Sequence, residues 1–156
     1  MKIHNHLWAE HIYLDASLKD KDELFRFIAD TFARDGVVKD SSRLYNSMKM
    51  REKTMSTGIG NGIGIPHAAS LEAKEPAVLL IRPSKAIDFK ALDGLSVDIV
   101  LALVVPENQI PLHLQMLAGI SRLCQEANFL KLVRQAGNPR DLLKEIELLE
   151  KKIAFH

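Results

Sequence analysis

The sequence predicts an α/β sandwich, a mixed central β-sheet flanked by helices, and three observations predict it. Two apolar runs, the continuous Ala77 to Ile81 and the longer Val97 to Val105, interrupted only by Asp98, have the length and composition of strands buried on both faces. Stretches with apolar residues at helical spacing lie before and after them, heaviest at the two ends of the chain. Between the first helical stretches and the first apolar run, Ser56 to Gly64 carries four glycines at alternate positions, which suits neither a helix nor a free strand. Interspersed helices and strands pack as layers around one sheet, and 156 residues are enough for a single domain with a sizeable core.

Residues 1–15 are polar and irregular, apart from Ile12 and Leu14, which alternate as in a short extended piece. They read as a solvated, partly mobile arm. Asp20 and Glu23 then stand at capping-box spacing. Leu24, Phe27, Ile28, Thr31 and Phe32 follow at helical spacing, with Gly36 as the stop. A second helix starts near Ser41 or Ser42, turns Leu44 and Met48 inward, and ends near Lys53. The glycine segment reads as a tight loop feeding a short strand, Ile63 to Pro66.

Pro83 ends the first apolar run and Pro106 the second, as expected of a residue with no ladder donor. Between them Ile87 and Phe89 alternate with charged neighbours, and Asp93-Gly94 marks a turn. Leu114, Leu117, Ile120, Ser121 and Cys124 are expected to share the inner face of the next helix. Asn128 is expected to cap a short helix ending at Gly137, and Asn138 with Pro139 to form an N-cap and first helical position. Leu142, Leu143, Ile146, Leu149 and Ile153 make the inner stripe of the last helix.

Composition excludes several functional classes. Apolar residues make up 47% and charged residues 26%, with a net charge of +1, so no broad basic field for nucleic acid is expected. One cysteine, Cys124, rules out a disulfide within the chain and favours a reducing compartment. No long apolar run suggests a signal peptide or a membrane span, so a cytoplasmic protein without membrane insertion is the expectation.

Three residues stand out for chemistry. His67 follows the glycine loop and Pro66, a setting that restrains the backbone of Ile65 and Pro66 and holds an imidazole in one orientation. The amides of Gly58, Gly60, Asn61 and Gly62 are candidate donors to a phosphate. The loop does not match a dinucleotide fingerprint, and no Lys-Ser or Lys-Thr follows it as in a Walker A loop. His113 opens a helix just after the strongest strand, where α/β sheets place their sites. Arg51 lies at a helix end just before the loop and is suited to clamping a phosphoryl group with its planar fork. Taken singly, each has a plainer role: a strand-end histidine, a helix-start residue and a cation on a helix dipole. His4, His6 and His11 lack a recognisable metal-ligand spacing, and no metal site is expected. Asp15, Asp88, Asp93 and Asp98 are scattered, with no pairing that suggests acid–base work.

The run REKTMSTGIGNGIGIPHA, from Arg51 to Ala68, resembles the signature of EIIA domains of the fructose–mannitol class in the bacterial sugar phosphotransferase system, nitrogen-related regulatory EIIA proteins included. The resemblance continues from Lys74 to Glu107 and from His113 to Gln125, over nearly all of the chain past residue 20. It implies one type-2 EIIA domain over residues 1–156 with an α/β sandwich fold. It also implies that His67 accepts a phosphoryl group from HPr and passes it to an EIIB cysteine, with His113 and Arg51 beside it. Such a relay needs no metal and no organic cofactor. One departure is visible: the family commonly has alanine where this chain has Gly64, which predicts looser local packing. Ile59, Ile63 and Leu112 are expected to supply an apolar docking patch. Three roles remain open: a transport component for a fructose- or mannitol-like sugar, a regulator that moves no sugar, and a non-catalytic binding module. The joint presence of Arg51, His67 and His113 speaks against the last.

Overall fold

A computed structural model describes residues 2–153. Six strands form one mixed sheet: β1 (Ile12–Ala16), β2 (Gly58–Gly60), β3 (Ile63–Gly64), β4 (His67–Ser70), β5 (Ala77–Pro83) and β6 (Ile99–Pro106). The order is β1-β5-β6-β3-β2, with β4 also on β6. β6 lies antiparallel to β5 on one side. On its other side β3 and β4 follow one another, both parallel to β6, β3 opposite Ile99 and Val100 and β4 opposite Leu103 to Pro106.

Both faces of the sheet are covered, which is why the central strands are apolar throughout. Leu79, Ile81, Val100, Ala102 and Val104 face α1 (Lys21–Arg34) and α2 (Ser41–Thr54). Val78, Leu80, Ile99, Leu101, Leu103 and Val105 face α3 (Ile110–Cys124), α4 (Ala127–Gln135) and α5 (Pro139–Ile153).

The helix ends follow local chemistry. The Asp20 carboxylate accepts the Glu23 N–H at 2.9 Å, as the spacing predicts, while the Glu23 carboxylate reaches back to the Lys19 N–H. α2 starts at Ser41, as the sequence predicts, and Asp40 caps it through the Arg43 N–H. Asn138 accepts the Asp141 N–H at 2.9 Å, so the Asn138-Pro139 reading holds. Two expectations fail. Glu126, not Asn128, precedes α4, and it makes no side-chain cap. In α3 the buried residues are Met116, Ile120, Leu123 and Cys124, whereas Leu114 is exposed.

Residues 2–15 are also not a solvated arm, while Met1 lies outside the described residues. Two short 3-10 turns, Ile3–His6 and Ala9–His11, lead into β1. Ile3, Leu7 and His11 are buried. The buried carboxylate of Glu150 on α5 accepts the N–H groups of Ile3 and His4 at 2.8 and 2.9 Å and pairs with the His4 ring at 2.8 Å. His11 pairs with Asp35 at 2.9 Å and stands edge-on to Trp8 and Phe32. Among the described residues no three His, Cys, Asp or Glu side chains converge to hold a metal ion, and no helix is long and apolar enough to cross a membrane.

Candidate functional site

The break between β3 and β4 delivers His67. Strand β3 ends at Gly64, Ile65 and Pro66 step across, and β4 begins at His67 opposite Leu103. The short strand expected to end at Pro66 is thus two short strands on one neighbour. The half-buried His67 ring lies on the α3 side, since Ala68 packs into the opposite face. Its Nδ1–H donates to the Ile65 carbonyl at 2.7 Å. A carbonyl only accepts, so Nδ1 keeps the proton, and in the neutral ring Nε2 carries the free lone pair.

His113 sits in the first turn of α3, its N–H donating to the Gln109 carbonyl at 3.0 Å. The two imidazoles stand edge to face, 5.5 Å between centroids at 80°. His113 Nε2 is buried and has no hydrogen-bond partner among the described residues. A buried ring nitrogen without a partner is costly unless a ligand supplies one. Arg51, in the last turn of α2, donates from Nη1 to the Met55 carbonyl at 3.3 Å, which leaves most of its fork free.

Burial is the main reason that both imidazoles lie below the ordinary value of 6.5. For His67 the Ile65 carbonyl opposes that shift, the Arg51 charge adds to it, and the Glu52 carboxylate opposes it. For His113 the charges of His67 and Arg51 add to the effect of burial. Both rings are therefore mainly neutral at pH 7.

The glycine loop is held by its neighbours. Gly60, Asn61 and Gly62 all adopt positive φ, at 97°, 58° and 81°. The Asn61 N–H donates to Asp93 at 3.0 Å, and the Gly58 N–H to the Ser56 hydroxyl at 3.1 Å. Two of the four amides offered to a phosphate are thus already engaged inside the protein. Arg134 donates to the Asn61 carbonyl at 2.7 Å and makes two bonds to Asp98, at 2.8 and 2.9 Å. A side chain at position 62 would begin 2.5 Å from an Asp98 oxygen and 2.8 Å from Arg134. Asp93 and Asp98, scattered in the sequence, converge here as clamps, a role no local signal announces.

Gly64 corrects a second expectation. A Cβ there would fall 2.7 to 3.1 Å from three ring atoms of Phe89. The methyl group is missing because a buried ring fills its place, so packing is tight, not loose. The docking patch is also redrawn. Ile63 is buried and Leu112 half-buried, whereas Ile59, Ile110 and Leu114 are exposed beside the two histidines in sequence. The sequence reading further missed Glu52 and Thr57, which bond one another behind the loop. Their only signal was the glutamate of the Arg51-Glu52 pair.

Residues 5–148 match the family described as "Phosphoenolpyruvate-dependent sugar phosphotransferase system, EIIA 2". A "Nitrogen regulatory protein" of Pseudomonas aeruginosa is 34% identical over 116 residues, covering 74% of this chain and 75% of that one. A "PTS system fructose-like EIIA component" of Escherichia coli is 32% identical over 115 residues, covering 74% and 78%. Among solved structures, the nitrogen regulatory protein IIA-Ntr from Neisseria meningitidis superposes with a TM-score of 0.86 at 26% identity, covering 92% of this chain and 98% of that one. The mannitol IIA from Escherichia coli, in complex with phosphorylated IIB, superposes with a TM-score of 0.74 at 19% identity, covering 90% and 96%, a likeness of fold. The matched profile, these relatives and the shared sandwich together make this chain a member of the type-2 EIIA family of the phosphoenolpyruvate-dependent sugar phosphotransferase system.

Proposed function

We propose that the chain is a phosphoryl carrier, a phosphotransferase that takes the group from phospho-HPr onto Nε2 of His67 and passes it to the cysteine of an EIIB domain. One observation carries the reading: the Ile65 carbonyl holds the Nδ1 proton, so the neutral ring presents a bare Nε2. In the transfer, the donor's P–N bond breaks and its ring recovers the electron pair. The P–Nε2 bond forms on His67, the Nδ1 proton stays where it is, and the phosphorylated ring gains positive charge. Phosphoryl transfer asks the protein mainly for positioning and for charge around the moving group. Arg51 supplies the cation, and His113 Nε2, buried and unpartnered, suits a hydrogen bond to a phosphoryl oxygen. The loop amides not engaged elsewhere are further candidates. The exposed Ile59, Ile110 and Leu114 suit a brief encounter with both partners.

The physiological role has two readings. Transport of a fructose- or mannitol-like sugar is supported by the fructose-like relative, and regulation by phosphorylation state by the nitrogen regulatory relatives. Labelled phospho-HPr tests the chemistry. The protein should take up acid-labile, base-stable label as a phosphohistidine, and His67→Gln should take up none. Normal labelling of His67→Gln would overturn the assignment. Onward transfer to a fructose- or mannitol-class EIIB cysteine supports the transport role; retention of the label supports the regulator.

A further inference from the structure

Behind the two histidines lies a chain of hydrogen bonds that begins on α2. Glu52 is almost fully buried, with a side chain 7% exposed. Its Oε1 accepts the Thr57 N–H at 2.9 Å and the Lys21 ammonium at 3.0 Å, and its Oε2 accepts the Thr57 hydroxyl at 2.6 Å. The Thr57 carbonyl accepts the Ile65 N–H at 2.9 Å. The Ile65 carbonyl in turn accepts Nδ1–H of His67 at 2.7 Å. Lys21 also donates to the Phe89 carbonyl at 3.2 Å, and the Phe89 ring occupies the space beside Gly64.

We propose that Glu52, braced by Lys21, is a positioning residue for His67: it clamps Thr57 and, through the Thr57 and Ile65 backbone, fixes the orientation and tautomer of the accepting imidazole. The inference rests on the phosphoryl-carrier reading. Two physical arguments support it. First, an acidic residue in the last turn of a helix opposes the helix dipole, so helix stability does not explain Glu52. Second, its two oxygens make three bonds and join the start of α1 and the end of α2 to the loop, which is what a rigid mount for a nucleophile needs. The carboxylate also acts on the chemistry, because the ring becomes positively charged as the P–Nε2 bond forms, and a nearby negative charge favours that product. Arg51 and Glu52, adjacent in sequence, then divide the work: one faces the negative phosphoryl group, the other backs the positive ring.

Glu52→Gln keeps the shape and removes the charge, with phosphotransfer from phospho-HPr and the ¹⁵N resonances of the His67 ring as the two readouts. Transfer should slow by roughly ten- to hundredfold, since small displacements of a reacting group have effects of that size. The label should still end on His67, and the well-separated Nδ1 and Nε2 resonances should move toward each other as the tautomers mix. A wild-type rate with unchanged ring resonances would overturn the proposal. Thr57→Val removes one bond to Glu52 and keeps the Thr57 carbonyl, so both readouts should move the same way by less. If Glu52→Gln does not fold, wild-type behaviour of Thr57→Val on both counts would overturn the proposal. Absence of label on His67 in the unaltered protein would count against the carrier reading instead, and the ring resonances alone would then decide the role of Glu52.

Discussion

The imidazoles of His67 and His113 stand edge to face at 5.5 Å, and only one of them has its proton position fixed by the backbone. On the proposed reading, that asymmetry separates nucleophile from helper. His113→Gln should still be labelled on His67, because the nucleophile remains. Its rate should fall, by up to the order of a hundredfold, because one donor aimed at developing charge changes shape and can no longer become cationic. Rapid-quench labelling measures it, and a dead His113→Gln beside an active His67→Gln would reverse the roles.

Both histidines lie below 6.5 in the folded protein, mainly through burial. Between the folded values and 6.5, the unfolded chain binds more protons than the folded one. The stability from these groups is therefore fully present above 6.5 and is lost as pH falls through the folded values. Phosphoryl acceptance should stay flat from about pH 8 to 6.5 and decline only on the acid side. The fall of Tm from pH 6.5 to 5 should be shallower in the His67→Gln, His113→Gln double variant than in wild type. An equal slope would show that these two rings do not contribute.

Arg51→Lys keeps the charge and loses the fork. Acceptance from phospho-HPr should slow on the order of tenfold, with Tm unchanged, since Arg51 makes one long bond to a carbonyl and no ion pair among the described residues. Wild-type transfer by Arg51→Lys would leave the residue as a helix-end cation.

Gly64→Ala should destabilise the protein by about 1–3 kcal/mol, the usual effect of overpacking. The added methyl meets the Phe89 ring, which is fully buried. Thermal unfolding measures the loss, and adding Phe89→Leu should recover part of it. Simple additivity of the two changes would mean that the contact is not the cause.

Glu150→Ala should cost about 2 kcal/mol, because the buried N–H groups of Ile3 and the half-buried His4 lose their acceptor. The first eleven residues should then become the earliest site of proteolytic cutting. An unchanged Tm and an uncut N-terminus would show that apolar packing of Ile3 and Leu7 holds this segment alone.

What was legible in the sequence was whatever depends on near neighbours. The Asp20 and Asn138 caps, the buried runs at β5 and β6, and the Pro66-His67 step each rest on residues a few positions apart. What was hidden depends on distant partners. His4 meets a carboxylate 146 residues away, and Asn61 is held by Asp93 and Arg134, 32 and 73 residues on. The inner face of α3 was misread at Leu114 because the helix turns Met116 and Leu123 onto the sheet, and leucine at a helix start is as easily exposed as buried. Gly64 was misread for the same reason, since its neighbour Phe89 lies in another segment.

The register of β4 against β6 has a dynamic consequence. His67 is opposite Leu103 on a strand whose every residue is buried, and the Leu103 N–H is bonded to the Pro66 carbonyl. Core strands of this kind open with the highest free energies in a fold, so slow amide exchange is expected there. The proposed acceptor is thus mounted beside the most deeply buried strand of the sheet, while Ile59 and Ile110 are exposed. On the carrier reading, loading and unloading the ring is expected to proceed without local unfolding, so that the protein cycles between two charge states on a frame that stays shut.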